Sequence, residues 1–376
     1  MRVAYRVPLL VAGFLSLGFG VAAGLARLGF GIELPSPMLA VLHGPLMGGA
    51  FLGTVISLER AVALGARWAY AAPLAAGIAG LAWILGAPVS AGAIALVLGG
   101  FILLAASLHI FLRQPELHNA CLAFGASCLP LGAAAVAAGD ISSATPAWLG
   151  FLVLTIAGER LELSRFMPPS PRARMLFAAI CIVLLLGTLL AVLAPQPGWK
   201  VVAAALIALA IWLAAKDVAR RTVRERGLTR YIACALLLGY AWLAIGALIA
   251  LGDPMFAPGR PAYDAALHAW FLGFVFSMVF GHAPIIAPAL LRVALPYRAW
   301  FYLPLVVLHA SLAERIAGDD VQMLMRSEQI ALQHDLAVFV RHQIDEHGRC
   351  FGQEVEIRKI PLGLPAPVPL KMASST

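Results

Sequence analysis

Eleven apolar runs, separated by short polar gaps, follow one another from Pro8 to about Ala313. The hydrocarbon core of a bilayer is about 30 Å thick, and a helix needs about 20 residues to cross it. Lipid offers no partner to a free amide or carbonyl, so such runs are restricted to helices that satisfy their own backbones. The runs place spans at 8–28, 37–58, 68–87, 90–112, 118–138, 147–164, 174–194, 198–215, 229–251, 262–283 and 299–313. The expected fold is an all-α, polytopic transmembrane helical bundle over residues 1–312. The first run is long enough to span and reads as an uncleaved helix rather than a signal peptide, although Arg2 and Arg6 precede it.

Composition excludes the soluble alternatives. Hydrophobic residues make up 61% of the chain and charged residues 12%, against about a quarter charged in an average soluble domain. The net charge of +8 comes from basic residues placed singly or in short clusters between apolar runs, the pattern of membrane loops, and this argues against nucleic acid as a partner. Cys121, Cys128, Cys181 and Cys234 lie inside apolar runs, where cysteine behaves as a small hydrophobe, and with Cys350 they form no disulfide framework.

Loop charges set the orientation. The N-terminus and the even-numbered loops hold 17 lysines and arginines, whereas the odd loops hold three, Arg27, Lys200 and Arg260. Positive charge stays on the cytoplasmic side, so the N-terminus is expected inside, in a bacterial inner membrane. Glycines such as Gly49 and Gly53 in the second span and Gly99 and Gly100 in the fourth are expected to let helices approach closely.

Ionisable groups inside lipid are costly, and each is a functional candidate with a partner to be found. His43 in the second span and His268 in the tenth fall at a similar depth below the outer surface, and His309 on the eleventh reaches the same half and is a further candidate metal ligand. His282 in the tenth span, with His109 and His118, forms an inner group. His268 and His282 are 14 residues apart, nearly four turns and about 21 Å along one helix face. Neutral imidazole is a common ligand for haem iron and copper, and bis-histidine ligation needs two histidines at one depth. His43 and His268 meet that requirement, and Asp264, one turn before His268, is placed to accept its second N–H. The plainer alternative is a histidine that only hydrogen-bonds across helices.

Two Glu-Arg pairs, Glu59-Arg60 and Glu159-Arg160, stand near cytoplasmic helix ends. Glu159 lies about a turn inside the membrane, where an ion pair with Arg60 or Arg160 is expected. A proton relay through Glu159 and Glu59 is the sharper alternative. The pairs invite comparison of the second and sixth spans as a repeat, but nothing else in those spans aligns.

Beyond Ala313 the character changes: residues 313–376 carry 16 charges, against 30 in the preceding 312. This polar tail holds a candidate amphipathic stretch, 323–339, and a proline-rich end, and is expected to be disordered or the product of a reading-frame change that removed a twelfth helix. His334, His342 and His347 within it read as solvated surface.

The segments Leu267-His268-Ala269-Trp270-Phe271-Leu272-Gly273 and Phe280-Gly281-His282-Ala283-Pro284, with His43-Gly44-Pro45 and the glycines after it, resemble the NnrS family over roughly residues 8–312. NnrS proteins are haem- and copper-containing membrane proteins linked to nitric oxide and denitrification. The resemblance implies about twelve helices, one more than the runs supply, and histidine-bearing first helices that do not align with the first span. It implies His43, His268 and His282 as haem or copper ligands, and respiratory or denitrification membrane partners. The expected function is a membrane protein that binds haem, copper or both, acting in electron transfer or nitric oxide handling. Two other classes stay open: a proton-coupled transporter of small molecules or ions using the same groups, and a non-catalytic scaffold for a respiratory complex. Enzyme, sensor and carrier are not separated by the sequence.

Overall fold

A computed structural model describes residues 5–164, 167–292 and 296–318. Among the described residues there are helices and no strand. The chain divides into one unit over Met1–Asp320 and a second over Val321–Thr376. The second unit, with the stretch 323–339, the three tail histidines and the question of a twelfth helix, lies outside the described residues.

The helices are α1 (Val7–Arg27), α2 (Met38–Val41), α3 (Leu52–Leu64), α4 (Ala71–Ile84), α5 (Val89–Arg113), α6 (Leu117–Ala137) and α7 (Ala144–Leu163). They continue as α8 (Pro171–Leu193), α9 (Pro195–Lys216), α10 (Ala219–Thr222), α11 (Gly227–Gly252), α12 (Pro261–His268), α13 (Ser277–Leu291) and α14 over residues 302–318. Two rods are interrupted by wider π-helical turns: Pro45–Phe51 joins α2 to α3, and Ala269–Phe276 joins α12 to α13.

Eight rods are long and apolar enough to cross a membrane: Val7–Arg27, Pro45–Leu64, Val89–Arg113, Leu117–Ala137, Pro171–Leu193, Pro195–Lys216, Gly227–Gly252 and Pro261–Pro288. The other three expected spans are helical, but α4 has only 14 residues, α7 carries Glu159, Arg160 and Glu162 near its end, and α14 starts at residue 302. Two boundaries differ from expectation. The tenth rod runs on through Pro284 and Pro288 to Leu291, so His282 sits inside it rather than at its end. α14 continues past Ala313 to residue 318, so the first residues assigned to the polar tail are helical.

The periphery is apolar, as lipid requires. On α5, Ile94, Leu98, Phe101, Leu108 and Leu112 are exposed at spacings of three, four and seven, which is one continuous helix face. A soluble protein rarely leaves so large an apolar surface open. The interior is built on α7, whose Phe151, Leu154 and Ala157 are fully buried, and which packs on α6, α8 and both π-turns. Small residues permit this closeness: a methyl on Gly100 of α5 would stand 2.7 Å from the ring of Pro130, the proline inside α6. Van der Waals contact between close backbones is what holds helices together where lipid is as apolar as the side chains.

Two of the three cations outside the basic loops serve the fold. Lys200 Nζ donates to the carbonyls of Ala250, Leu251 and Asp253 at 2.9, 3.0 and 2.6 Å, closing the C-terminal end of α11. Arg260 donates to both carboxylate oxygens of Asp253 at 2.9 and 3.1 Å, and this guanidinium holds the Asp253 carboxyl below its ordinary value.

Candidate functional site

Tautomers sort four of the six candidate histidines, His43, His268, His282 and His309. A carbonyl oxygen only accepts, so whichever ring nitrogen faces one must carry the proton. His43 directs Nδ1 at the carbonyl of Gly20 on α1, 2.7 Å away, so Nδ1 donates and the Nε2 lone pair is left over. His268 directs Nδ1 at the carbonyl of Asp264 at 2.8 Å, with the Asp264 carboxylate 3.3 Å off, and again Nε2 keeps its lone pair. His282 donates from Nδ1 to the Met278 carbonyl at 2.8 Å, and its Nε2 is buried without a partner.

His309 is the opposite tautomer. The indole N–H of Trp242 donates to its Nδ1 at 2.8 Å, so Nε2 carries the proton and faces Ser277 Oγ at 3.5 Å. Both nitrogens are engaged, and no lone pair is left for a metal.

The structure brings two of these groups together. His43 lies within electrostatic reach of His268, Asp264 and Arg27. Arg315 on α14 donates to the Asp264 carboxylate at 2.5 Å, extending the chain of contacts from His268 to a cation. Arg315 falls where the composition had already turned polar, and sequence reasoning missed it; its place four residues after Ser311 on a continuing helix was the available signal. The His43 ring packs on bare backbone: a methyl on Gly24 of α1 would stand 2.8 Å from its Cε1. Beside it, Gly44 is exposed at the surface of the bundle, and a methyl there would meet nothing within 4 Å.

At the other end of α7, Arg160 pairs with neither Glu159 nor another glutamate. It donates to both oxygens of Asp217, at 2.7 and 2.9 Å, with the two side chains 4% and 1% exposed. Tyr240 donates its hydroxyl to the same carboxylate at 2.8 Å, and the Ala219 amide does so at 2.8 Å where α10 begins. The expected Glu159–Arg160 pair is thus replaced by a partner that stood unremarked beside Lys216. The reason is reach: Asp217, at the end of α9, offers both oxygens to the guanidinium fork, whereas Glu159 precedes Arg160 on the same helix and points to another face. Glu59, Glu159 and Glu162 gather with Arg60 within electrostatic range, and among the described residues none of these three carboxylates makes an ion pair. His282 lies within electrostatic range of Arg160 and Asp217, at the same end of the bundle as that ion pair.

Among the described residues no group of three or more His, Cys, Asp or Glu side chains is arranged to hold a metal ion. His43 and His268 instead offer two imidazole nitrogens with lone pairs.

Rods of this length with apolar outer faces define a multi-pass α-helical membrane protein. The chain belongs to the family described as Domain of unknown function (DUF8744), whose profile matches residues 6–341. No curated protein and no solved structure matches it.

Proposed function

We propose that this protein binds haem between His43 and His268, and works in respiratory electron transfer or the handling of nitrogen oxides in a bacterial inner membrane. The observation that carries the proposal is the matched pair of tautomers: each Nδ1–H is fixed by a carbonyl, and each Nε2 lone pair is free. Haem iron asks the protein for only one or two axial ligands, because the macrocycle supplies the other four. A protein-held copper ion asks for more donors than this pair supplies. His282, whose buried Nε2 has no partner, stands apart from this pair as a third imidazole. The resemblance to NnrS proteins points the same way.

The residues fit such a group. His43 and His268 would hold the iron, and Arg27 within electrostatic range of His43 supplies positive charge for the porphyrin carboxylates. Bound there, the iron would accept and release one electron. Asp264 fixes the ring of His268 and increases its basicity, as carboxylates behind ligating histidines do. In the same reading all eleven rods cross the bilayer, with the N-terminal side and the Glu59–Glu159 cluster toward the cytoplasm.

The test is purification in detergent followed by an absorption spectrum and metal analysis. A Soret band that changes in His268→Ala and is lost when His43 and His268 are both replaced by alanine supports the proposal. A colourless preparation free of iron and copper defeats it.

A second reading, a proton-coupled transporter, draws on the carboxylates Glu59 and Glu159 buried together near one end of the bundle. It predicts uptake that changes in Glu159→Gln with no chromophore present.

A further inference from the structure

The two π-turns follow the same words. Leu42-His43-x-x-x-x-Gly48-x-x-Phe51 and Leu267-His268-x-x-x-x-Gly273-x-x-Phe276 match position for position, 225 residues apart. In both, the histidine stands at the edge of the π-turn and the phenylalanine closes it. The likeness continues beyond the rods: Val62-Ala63-Leu64-x-x-Arg67 is followed by Pro73-Leu74, and Val293-Ala294-Leu295-x-x-Arg298 by Pro304-Leu305.

Architecture follows the same order. Each histidine rod is preceded by a long helix, α1 or α11, and followed by a short 3-10 turn, Arg67–Tyr70 or Ala299–Phe301, and then by α4 or α14. In each set the third helix packs back on the first: Gly77 of α4 against Ala12 of α1, and Leu312 of α14 against Trp242 of α11.

Equivalent residues of two copies touch one another only near the axis that relates the copies. Phe51 and Phe276 are equivalent, and their ring centroids are 6.4 Å apart. His43 and His268 each stand eight residues before that phenylalanine, so they flank the same axis at one level. Five rods, α5 to α9, lie between the sets, so the two histidine rods run in the same direction and the axis stands along the rods.

We infer that the outer site lies on a pseudo-two-fold axis between two copies of a duplicated three-helix unit, and that it takes one planar ligand with an equivalent imidazole on each face. The inference rests on the haem reading above and sharpens it. An iron held from both faces is six-coordinate and has no open position, so this centre carries electrons and does not bind gas. Nitric oxide or any other small substrate would then react elsewhere.

The experiment combines haem stoichiometry, spin state and carbon monoxide binding in purified protein. One haem per chain, a low-spin spectrum and no carbon monoxide adduct of the reduced form are expected. His43→Ala and His268→Ala should each give a high-spin form that binds carbon monoxide, to similar extents. A wild-type centre that binds carbon monoxide readily, or a His43→Ala protein that stays low-spin, overturns the inference while leaving haem binding intact. Wild-type protein with no haem removes the reading on which it rests. The axis has its own measurement in a Phe51→Cys/Phe276→Cys variant carrying a protease site in the loop before α8. A short bis-thiol cross-linker should keep the two fragments joined, and neither single variant should do so. Fragments that separate equally in all three proteins overturn the axis.

Discussion

Arg160 and Asp217, 57 residues apart, form a two-pronged ion pair with almost no exposure, and Tyr240 completes it from a third helix. Three rods, α7, α9 and α11, are thereby tied at one end of the bundle.

Removing one partner of such a pair strands the other charge, and the cost is about 3–5 kcal/mol. Asp217→Ala is therefore expected to lower the thermal midpoint in detergent sharply. Arg160→Met combined with Asp217→Leu removes both charges and should recover much of the loss. A double variant no better than Asp217→Ala would contradict this account.

Gly24 and Gly44 give opposed expectations. A side chain at Gly24 enters the space of the His43 ring, whereas one at Gly44 enters open room. Gly24→Val should cut the ratio of haem to protein severalfold, and Gly44→Ala should leave it near the wild-type value. Pyridine haemochrome assay against protein concentration measures both.

His309 is engaged at both nitrogens, so His309→Phe should leave the chromophore in place. It should cost stability, because Trp242 loses its acceptor; a net hydrogen bond is worth about 1 kcal/mol. A spectrum changed as strongly as that of His268→Ala would return His309 to the set of ligands.

Asp140, in the loop between α6 and α7, accepts hydrogen bonds from the hydroxyls of Ser142 and Ser143 at 2.6 and 2.5 Å and from the Ser143 amide at 3.1 Å. These donors hold its carboxyl down to about 2 from an ordinary 3.8. A carboxyl whose pKa is lower in the folded chain stabilises the fold above the unfolded value, and the contribution is lost as pH falls through the folded one. Asp140→Asn should be less stable than wild type at neutral pH, with the gap closing between about pH 4 and pH 2. Unfolding midpoints of the two proteins across that range check the sign.

The membrane character was readable because a run of about 20 apolar residues has few other uses. α4, α7 and α14 were harder to assign by length and apolarity because α4 is short, α7 carries charge and α14 overlaps the onset of polar sequence. His43, His268 and Asp264 were singled out by depth and spacing, but tautomers depend on carbonyls such as Gly20 O that belong to another helix. The ion pair was misjudged for a similar reason: nothing local in Lys216-Asp217 reports that Arg160 lies across from it. The duplication was present in the sequence throughout. Comparing the Glu-Arg pairs directs attention to the second and sixth rods, whereas the shared pattern joins the second and the tenth.

A π-turn is an α-helix that has gained a residue, and each residue in a helix turns the chain by about 100°. The extra residue in Pro45–Phe51 and in Ala269–Phe276 therefore acts as a swivel between the two ends of each rod. Losing one residue there would leave His43 or His268 facing its partner helix while the other half of the rod rotated by more than a quarter turn. Ser57 and His282, fourteen positions further on and both with a buried polar atom lacking a partner, would then aim at different neighbours. The two ends of each histidine rod can thus be tuned separately, the end that carries His43 or His268 and the end that carries Ser57 or His282.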